Sequence, residues 1–116
     1  MKINNNEEIF AAEVTMEGAK DVKMKILIGP RDGSGNIIMR HFTVAPGGNT
    51  PFHQHNYEHL VKVEKNRGIA VDEDGNEHEI KKGLSIFVRP NEKHQFRNPF
   101  SEDLEFLCII PNPEKQ

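Results

Sequence analysis

Only one cysteine, Cys108, occurs in the chain, which excludes an internal disulfide framework. No apolar run approaches the roughly 20 residues that a membrane span needs, and no membrane partner is expected. No basic leader with an apolar core opens the sequence, so secretion is not indicated and a cytoplasmic location is the expectation. Charge of one sign is lacking too: acids and bases are interspersed to a formal net charge of -3, with no basic stripe to follow a phosphate backbone, so nucleic acid is not an expected partner. Also missing is any sustained helical period. At 116 residues the chain fits one domain spanning 1-116. A domain of that size buries roughly 65% of its unfolded surface, enough for one core without staples.

What the chain does contain is a succession of short apolar runs punctuated by turn signals, an all-β pattern. Strands are expected near Ile9 to Val14, Val22 to Ile28, Ile37 to Val44, His59 to Glu64, Ile69 to Asp72, His78 to Ile80, Leu84 to Val88, His94 to Arg97 and Leu104 to Ile110. Between them Arg31-Asp32-Gly33-Ser34-Gly35, Pro46-Gly47-Gly48-Asn49, Asp74-Gly75-Asn76, Pro90-Asn91 and Asn98-Pro99 read as turns or loops, with Asp74-Gly75 the cleanest hairpin. The ends, Met1 to Asn6 and Pro111 to Gln116, are polar and expected to fray. Many short antiparallel strands at regular spacing suggest a sandwich or a barrel.

Four histidines concentrate the chemistry. His53, His55 and His59 fall within seven residues, and His94 follows after a stretch long enough to fold back beside them, so the four read as one metal site. Side chains two apart share a face on a strand and oppose each other on a helix, so His53 and His55 want extended backbone. An extended chain from His55 to His59 would cover roughly 13 Å, too far for one ion, so the chain must bend at Asn56-Tyr57. Zinc proteases chelate through helical His pairs four apart, but Pro51 and Phe52 precede this group and Val61, Lys62, Val63, Glu64 alternate after it. No apolar helical stripe runs through it.

The segment Gly47 to Gly68, GGNTPFHQHNYEHLVKVEKNRG, resembles the first cupin motif: a glycine, five residues, His-x-His, then a third ligand three or four residues on. Gly83 to Asn98, GLSIFVRPNEKHQFRN, resembles the second, with Gly83, His94 and Asn98 at the family's spacings. The resemblance to small single-domain, four-histidine cupins (cupin 2 conserved barrel type) runs from about Val22 to Pro111, with an N-terminal strand near 9-14 outside that core. There are three departures. His59 stands where most cupins have a glutamate ligand, Asn66 replaces the glycine closing the first motif, and Arg89 and Asn91 replace a proline and a glycine of the second. Asn can visit the left-handed region, so these turns survive.

The resemblance implies a jelly-roll β-barrel, the RmlC-like double-stranded β-helix, with a metal inside and a pocket open at one end. It implies one divalent transition metal per chain (Mn, Fe, Ni, Cu, Co or Zn), held by His53, His55, His59 and His94. Neutral imidazoles leave the ion its full charge and should favour anionic ligands. Four such ligands also leave two positions open around a six-coordinate ion. The expected function is therefore a metal-dependent oxidoreductase, dioxygenase-like, acting on a small organic substrate. The alternatives are a non-redox isomerase or lyase and a non-catalytic small-molecule or metal binding module.

Candidate pocket residues surround this site. Alternation puts Phe106, Cys108 and Ile110 on one face, to be read as pocket wall or as core. Arg40 shares a face with Ile38, Phe42 and Val44, and there it either clamps a substrate carboxylate or pairs with an acid. Phe96 and Tyr57 flank ligands and wall the mouth or simply pack. Glu58 reads as solvated or supporting, and His41 and His78 as ordinary surface or strand histidines. A homodimer is expected, because small cupins commonly pair and Leu107 and Ile109 face outward.

Overall fold

In the computed structural model, which describes residues 1–115, the strict alternation of buried and half-buried residues along Leu104–Pro111 sets the architecture: Leu104, Phe106, Cys108 and Ile110 point into one core. The strands are β1 (Ala12–Glu13), β2 (Lys20–Ile28), β3 (Ile37–Asn49), β4 (His59–Lys65), β5 (Arg67–Val71), β6 (Glu77–Lys81), β7 (Ser85–Val88), β8 (Gln95–Arg97) and β9 (Leu104–Pro111). All pairings are antiparallel and join them into one curled sheet in the order β6-β5-β8-β3-β9-β4-β7, with β2 on β3 and β1 on β2. This is the expected all-β jelly-roll arrangement, with no long helix among the described residues. Among the described residues no helix is long and apolar enough to cross a membrane.

Strand β3 organises the sheet. Its first part pairs with β9 from Ile37↔Pro111 to Val44↔Leu104, its other edge carries β2, and its last residue, Asn49, pairs with Arg97 of β8. Pro46-Gly47-Gly48-Asn49, expected as a loop, lies inside this strand. Backbone freedom explains the difference. Gly47 has φ 82°, Asp21 opposite has φ 51°, and the register shifts between Lys20 and Val22, so the strand turns a corner through a bulge instead of ending. A Cβ at Gly48 would meet the carbonyl oxygens of Lys20, Ala45 and Asp21 at 2.7 to 2.9 Å, so only glycine permits that approach.

Other expectations need smaller corrections. The N-terminal strand expected at 9-14 shrinks to Ala12–Glu13, because Asn6–Glu8 form a 3-10 turn capped by the Asn5 side chain. Each end is tied to the sheet at one point: Asn4 donates to the Leu27 carbonyl and buried Asn112 donates to the Gly35 carbonyl. Gln116 lies outside the described residues. Asn66 (φ 61°) and Asn91 (φ 62°) take the left-handed conformation that glycine provides in the motif they resemble.

Candidate metal centre

Two short stretches of extended chain, outside the regular strands, bring the histidines together. His53 and His94 form an isolated antiparallel bridge, each amide donating to the other's carbonyl at 3.2 and 2.9 Å. The sequence expects extended backbone at His53 and a strand that starts at His94. The bridge supplies the extended backbone instead, and β8 begins at Gln95. His55 is anchored by its carbonyl, which accepts from Asn91 at 2.6 Å. The chain then bends at Asn56-Tyr57, and His59 opens β4. The bend returns His59 to the cluster: its ring lies 4.9 Å from that of His94 and 5.2 Å from that of His55.

His53, His55 and His94 offer ligand atoms that all lie within 4.8 Å of one another, so these three histidines could hold a metal ion. His59 adjoins this trio without belonging to it at that distance. The Nδ1 of His94 lies 2.9 Å from the Glu92 carbonyl. Because a carbonyl only accepts, that nitrogen carries the proton and Nε2 keeps its lone pair for the cluster. The buried Nδ1 atoms of His55 and His59 have no protein partner, so neither ring is locked into one tautomer.

Electrostatics favours ligation. Burial, followed by the neighbouring imidazoles, lowers the pKa of His53 to about 4 and that of His59 to about 3. Burial also lowers His55 and His94, although the Glu92 carbonyl partly opposes the shift at His94. The positive charge of Arg40 pushes all four in the same direction. At neutral pH the cluster is therefore uncharged, the form that coordinates metal.

The cluster opens onto a cavity of about 230 Å3. Arg40, Tyr57, Phe96, Phe106 and Cys108 line it beside the four histidines. The Tyr57 ring packs beside those of His55 and His59, at 4.9 and 5.1 Å. Ile110 is not on the wall: it is 4% exposed and packs in the core, so its place among the pocket residues is corrected. Burial raises the Cys108 pKa, which keeps the thiol protonated and suits a packing role. Glu58 is exposed. His41 and His78 pair with Glu105 (3.2 Å) and Asp72 (2.8 Å).

Sequence reasoning missed part of the wall: Val14 and Met16 from the N-terminal segment, Val22 and Met24 from β2, Phe42 from β3, and Thr50 with Pro51 just before the histidines. Val22, Met24 and Phe42 carried a signal in their alternation. The cross-strand register places Met24 opposite Phe42 and Phe42 opposite Phe106, which sets three pocket residues in a row.

Residues 40–110, more than half the chain, match the Cupin_2 family, described as a cupin domain. This chain is a cupin. Among solved structures it is similar to the polyketide cyclase RemF from Streptomyces resistomycificus, with 31% identity and a TM-score of 0.91 over 96% of this chain and 79% of that one. A cupin 2 conserved barrel protein from Rhodopseudomonas palustris superposes with a TM-score of 0.77 at 25% identity, covering 89% of this cupin and 70% of that chain. In sequence the cupin is 35% identical over 81 residues to 1-methylthio-D-xylulose 5-phosphate methylsulfurylase of Rhodospirillum rubrum, covering 66% of this chain. It is also 35% identical over 79 residues to auxin-binding protein 1 of Arabidopsis thaliana, covering 61% of this chain. The matches span only 51% and 40% of these two relatives' own lengths.

Proposed function

We propose that this cupin is a metal-dependent enzyme acting on a small organic molecule, with one divalent transition ion held by His53, His55, His94 and His59. The observation that carries the reading is the convergence of three imidazoles, with ligand atoms within 4.8 Å, on an apolar cavity. His59 joins the set because its ring lies against His94 and its Nδ1 lacks a protein partner. When bound, such an ion supplies Lewis acidity or, if redox-active, electron transfer with dioxygen.

The chain's own residues do the rest. Tyr57 and Phe96 line the cavity beside the histidines, and the apolar wall of Phe42 and Phe106 would hold the body of the substrate away from water. The Glu92 carbonyl fixes the His94 tautomer. Two chemistries fit this arrangement. The non-redox reading, a cyclase-, isomerase- or lyase-type reaction, draws support from the similarity to a polyketide cyclase across nearly the whole chain. The dioxygenase-like oxidoreductase expected from the sequence draws support from the coordination positions that four histidines leave open.

Metal content, measured by mass spectrometry on protein purified without an affinity tag or chelator, tests the proposal. About one ion per chain, lost in the His53→Ala/His94→Ala double variant, is the expected result. Equal or negligible metal in both proteins would overturn it. Oxygen uptake during turnover then separates the two chemistries.

The proposal includes a homodimer. Phe87, Leu60, Ile109 and Met39 lie opposite one another across four strands on the outward face, with Leu60 54% and Phe87 48% exposed. Light scattering should give twice the chain mass at micromolar concentration, and a monomer there would refute this part.

A further inference from the structure

Arg40 is the cavity's one formally charged side chain. Among the described residues no Asp or Glu lines the cavity, and none forms an ion pair with Arg40. Its position follows from register. Arg40 sits on β3 opposite Cys108 of β9, on the face that points inward, and its Nη2 donates to the Cys108 sulfur at 3.1 Å while the guanidinium lies 5.0 Å from the Phe42 ring centre. Sulfur is a weak acceptor, and guanidinium has five N–H donors. The Nε atom is buried with no protein partner at all. A cation turned into an apolar cavity with no carboxylate beside it is costly in the folded protein, and the protein sets only the weak sulfur acceptor and the face of Phe42 against that cost.

The arrangement makes sense if the missing partner belongs to the ligand. We infer that the cavity takes a small organic acid, whose anionic group is held by the Arg40 guanidinium and whose apolar body packs against Phe42, Met24 and Phe106. The inference rests on the proposed function for its site and adds the substrate class. Guanidinium matches carboxylate geometry through two parallel N–H donors, and its two Nη groups can present such a fork. The size agrees: at about 30 Å3 per water-sized group, the cavity holds roughly eight such groups, the scale of one aromatic ring with a carboxylate. The cluster adds to the selection. Neutral imidazoles cancel none of a bound ion's charge, so ion and guanidinium together leave the cavity strongly cationic.

Benzoate and its neutral isostere benzamide are suitable probes, titrated by calorimetry into wild type, Arg40→Met and Arg40→Lys, each metal-loaded and metal-stripped. Wild type should prefer benzoate by about tenfold or more, the scale of a hydrogen-bonded charge pair. Arg40→Met should lose the preference at unchanged metal content, and Arg40→Lys should recover part of it. The unfolding midpoint of Arg40→Met should equal or exceed that of wild type, because an unpaired charge has been removed from an apolar wall. Equal affinity of wild type for the two probes would overturn the inference, as would a benzoate preference that survives in Arg40→Met. The second result in loaded protein alone would put the anion on the ion and leave the metal reading intact. If wild type binds no ion, the metal reading fails, and the stripped-protein titrations still decide the role of Arg40.

Discussion

The two ends of the barrel are built from the same strands and differ only in what those strands turn inward. At one end β3 contributes Val44, β4 contributes Val63 and β9 contributes Leu104, each 0% exposed. At the other end the same three strands contribute Arg40, His59 and Cys108 around a cavity. The first end is filled with apolar volume and specifies the fold. The second gives up part of that packing for polar side chains that burial keeps neutral or unpaired. The same backbone ladder therefore supports both, and a substitution should act on stability or on ligand binding according to which end it falls in.

The largest separation of the two ends is expected from Leu104→Ala. It should lower unfolding stability by about 2–5 kcal/mol, the range for truncating a fully buried leucine, without changing metal stoichiometry per folded chain. Denaturant titration with metal analysis checks both halves. In contrast, His53→Ala should move the stability of metal-free protein by about 1 kcal/mol or less and sharply weaken ion binding. A thermal scan of wild type with the ion at a hundredfold excess over its dissociation constant should show the converse gain, about 2.7 kcal/mol, that His53→Ala lacks.

Between about pH 6.5 and 4, acid should act chiefly at the histidine end. The folded-state pKa of His53 is lowered to about 4, and that of His59 to about 3, from an ordinary 6.5. Within that window the unfolded chain binds more protons than the folded one, so metal-free stability is full above about pH 6.5 and falls as pH drops towards 4. Chemical denaturation of the metal-free protein across that range checks the sign, and stability that rises on acidification would contradict it. The smallest effect is expected at Asn66, whose left-handed backbone suits glycine and whose side chain donates to the Asp103 carbonyl at 2.8 Å. These contributions oppose each other, so Asn66→Gly should change stability by only about 0.5 kcal/mol, whereas Asn66→Ala should cost about 1 kcal/mol or more.

Most of this architecture was legible because a period of two leaves its mark wherever one face is buried. Val61, Lys62, Val63 and Glu64 alternate in the chain and alternate again in exposure. The histidines were legible for a related reason, since spacings of two and four within extended chain fit one ion only with a bend at Asn56-Tyr57, and the chain does bend there. What escaped was non-local. Pro46-Gly47-Gly48-Asn49 carries every local sign of a loop, and long-range pairing keeps it in the sheet, Asn49 with both Lys20 and Arg97 and Gly47 and Gly48 with the backbone of Asn98. The contribution of Val14 and Met16 to the cavity depends on how β1 crosses β2, which no local pattern in residues 9-14 encodes. Ile110 follows the alternation of β9 faithfully and still misses the cavity, because alternation gives the face and not the depth.

The bridge between His53 and His94 joins residues 41 positions apart in the chain, and that separation bears on the order of folding. His53, His55 and His59 can approach one another as soon as a local bend forms. His94 reaches them only after β4 to β7 have been laid down between. On β3, which leads into this segment, Ile37 must also find Pro111 at almost the far end of the chain. Loop closure over such distances makes a late, slow step of the contacts that complete the sheet. The fourth imidazole therefore arrives with the finished barrel, and tight metal uptake during refolding should track the last kinetic phase, not the first.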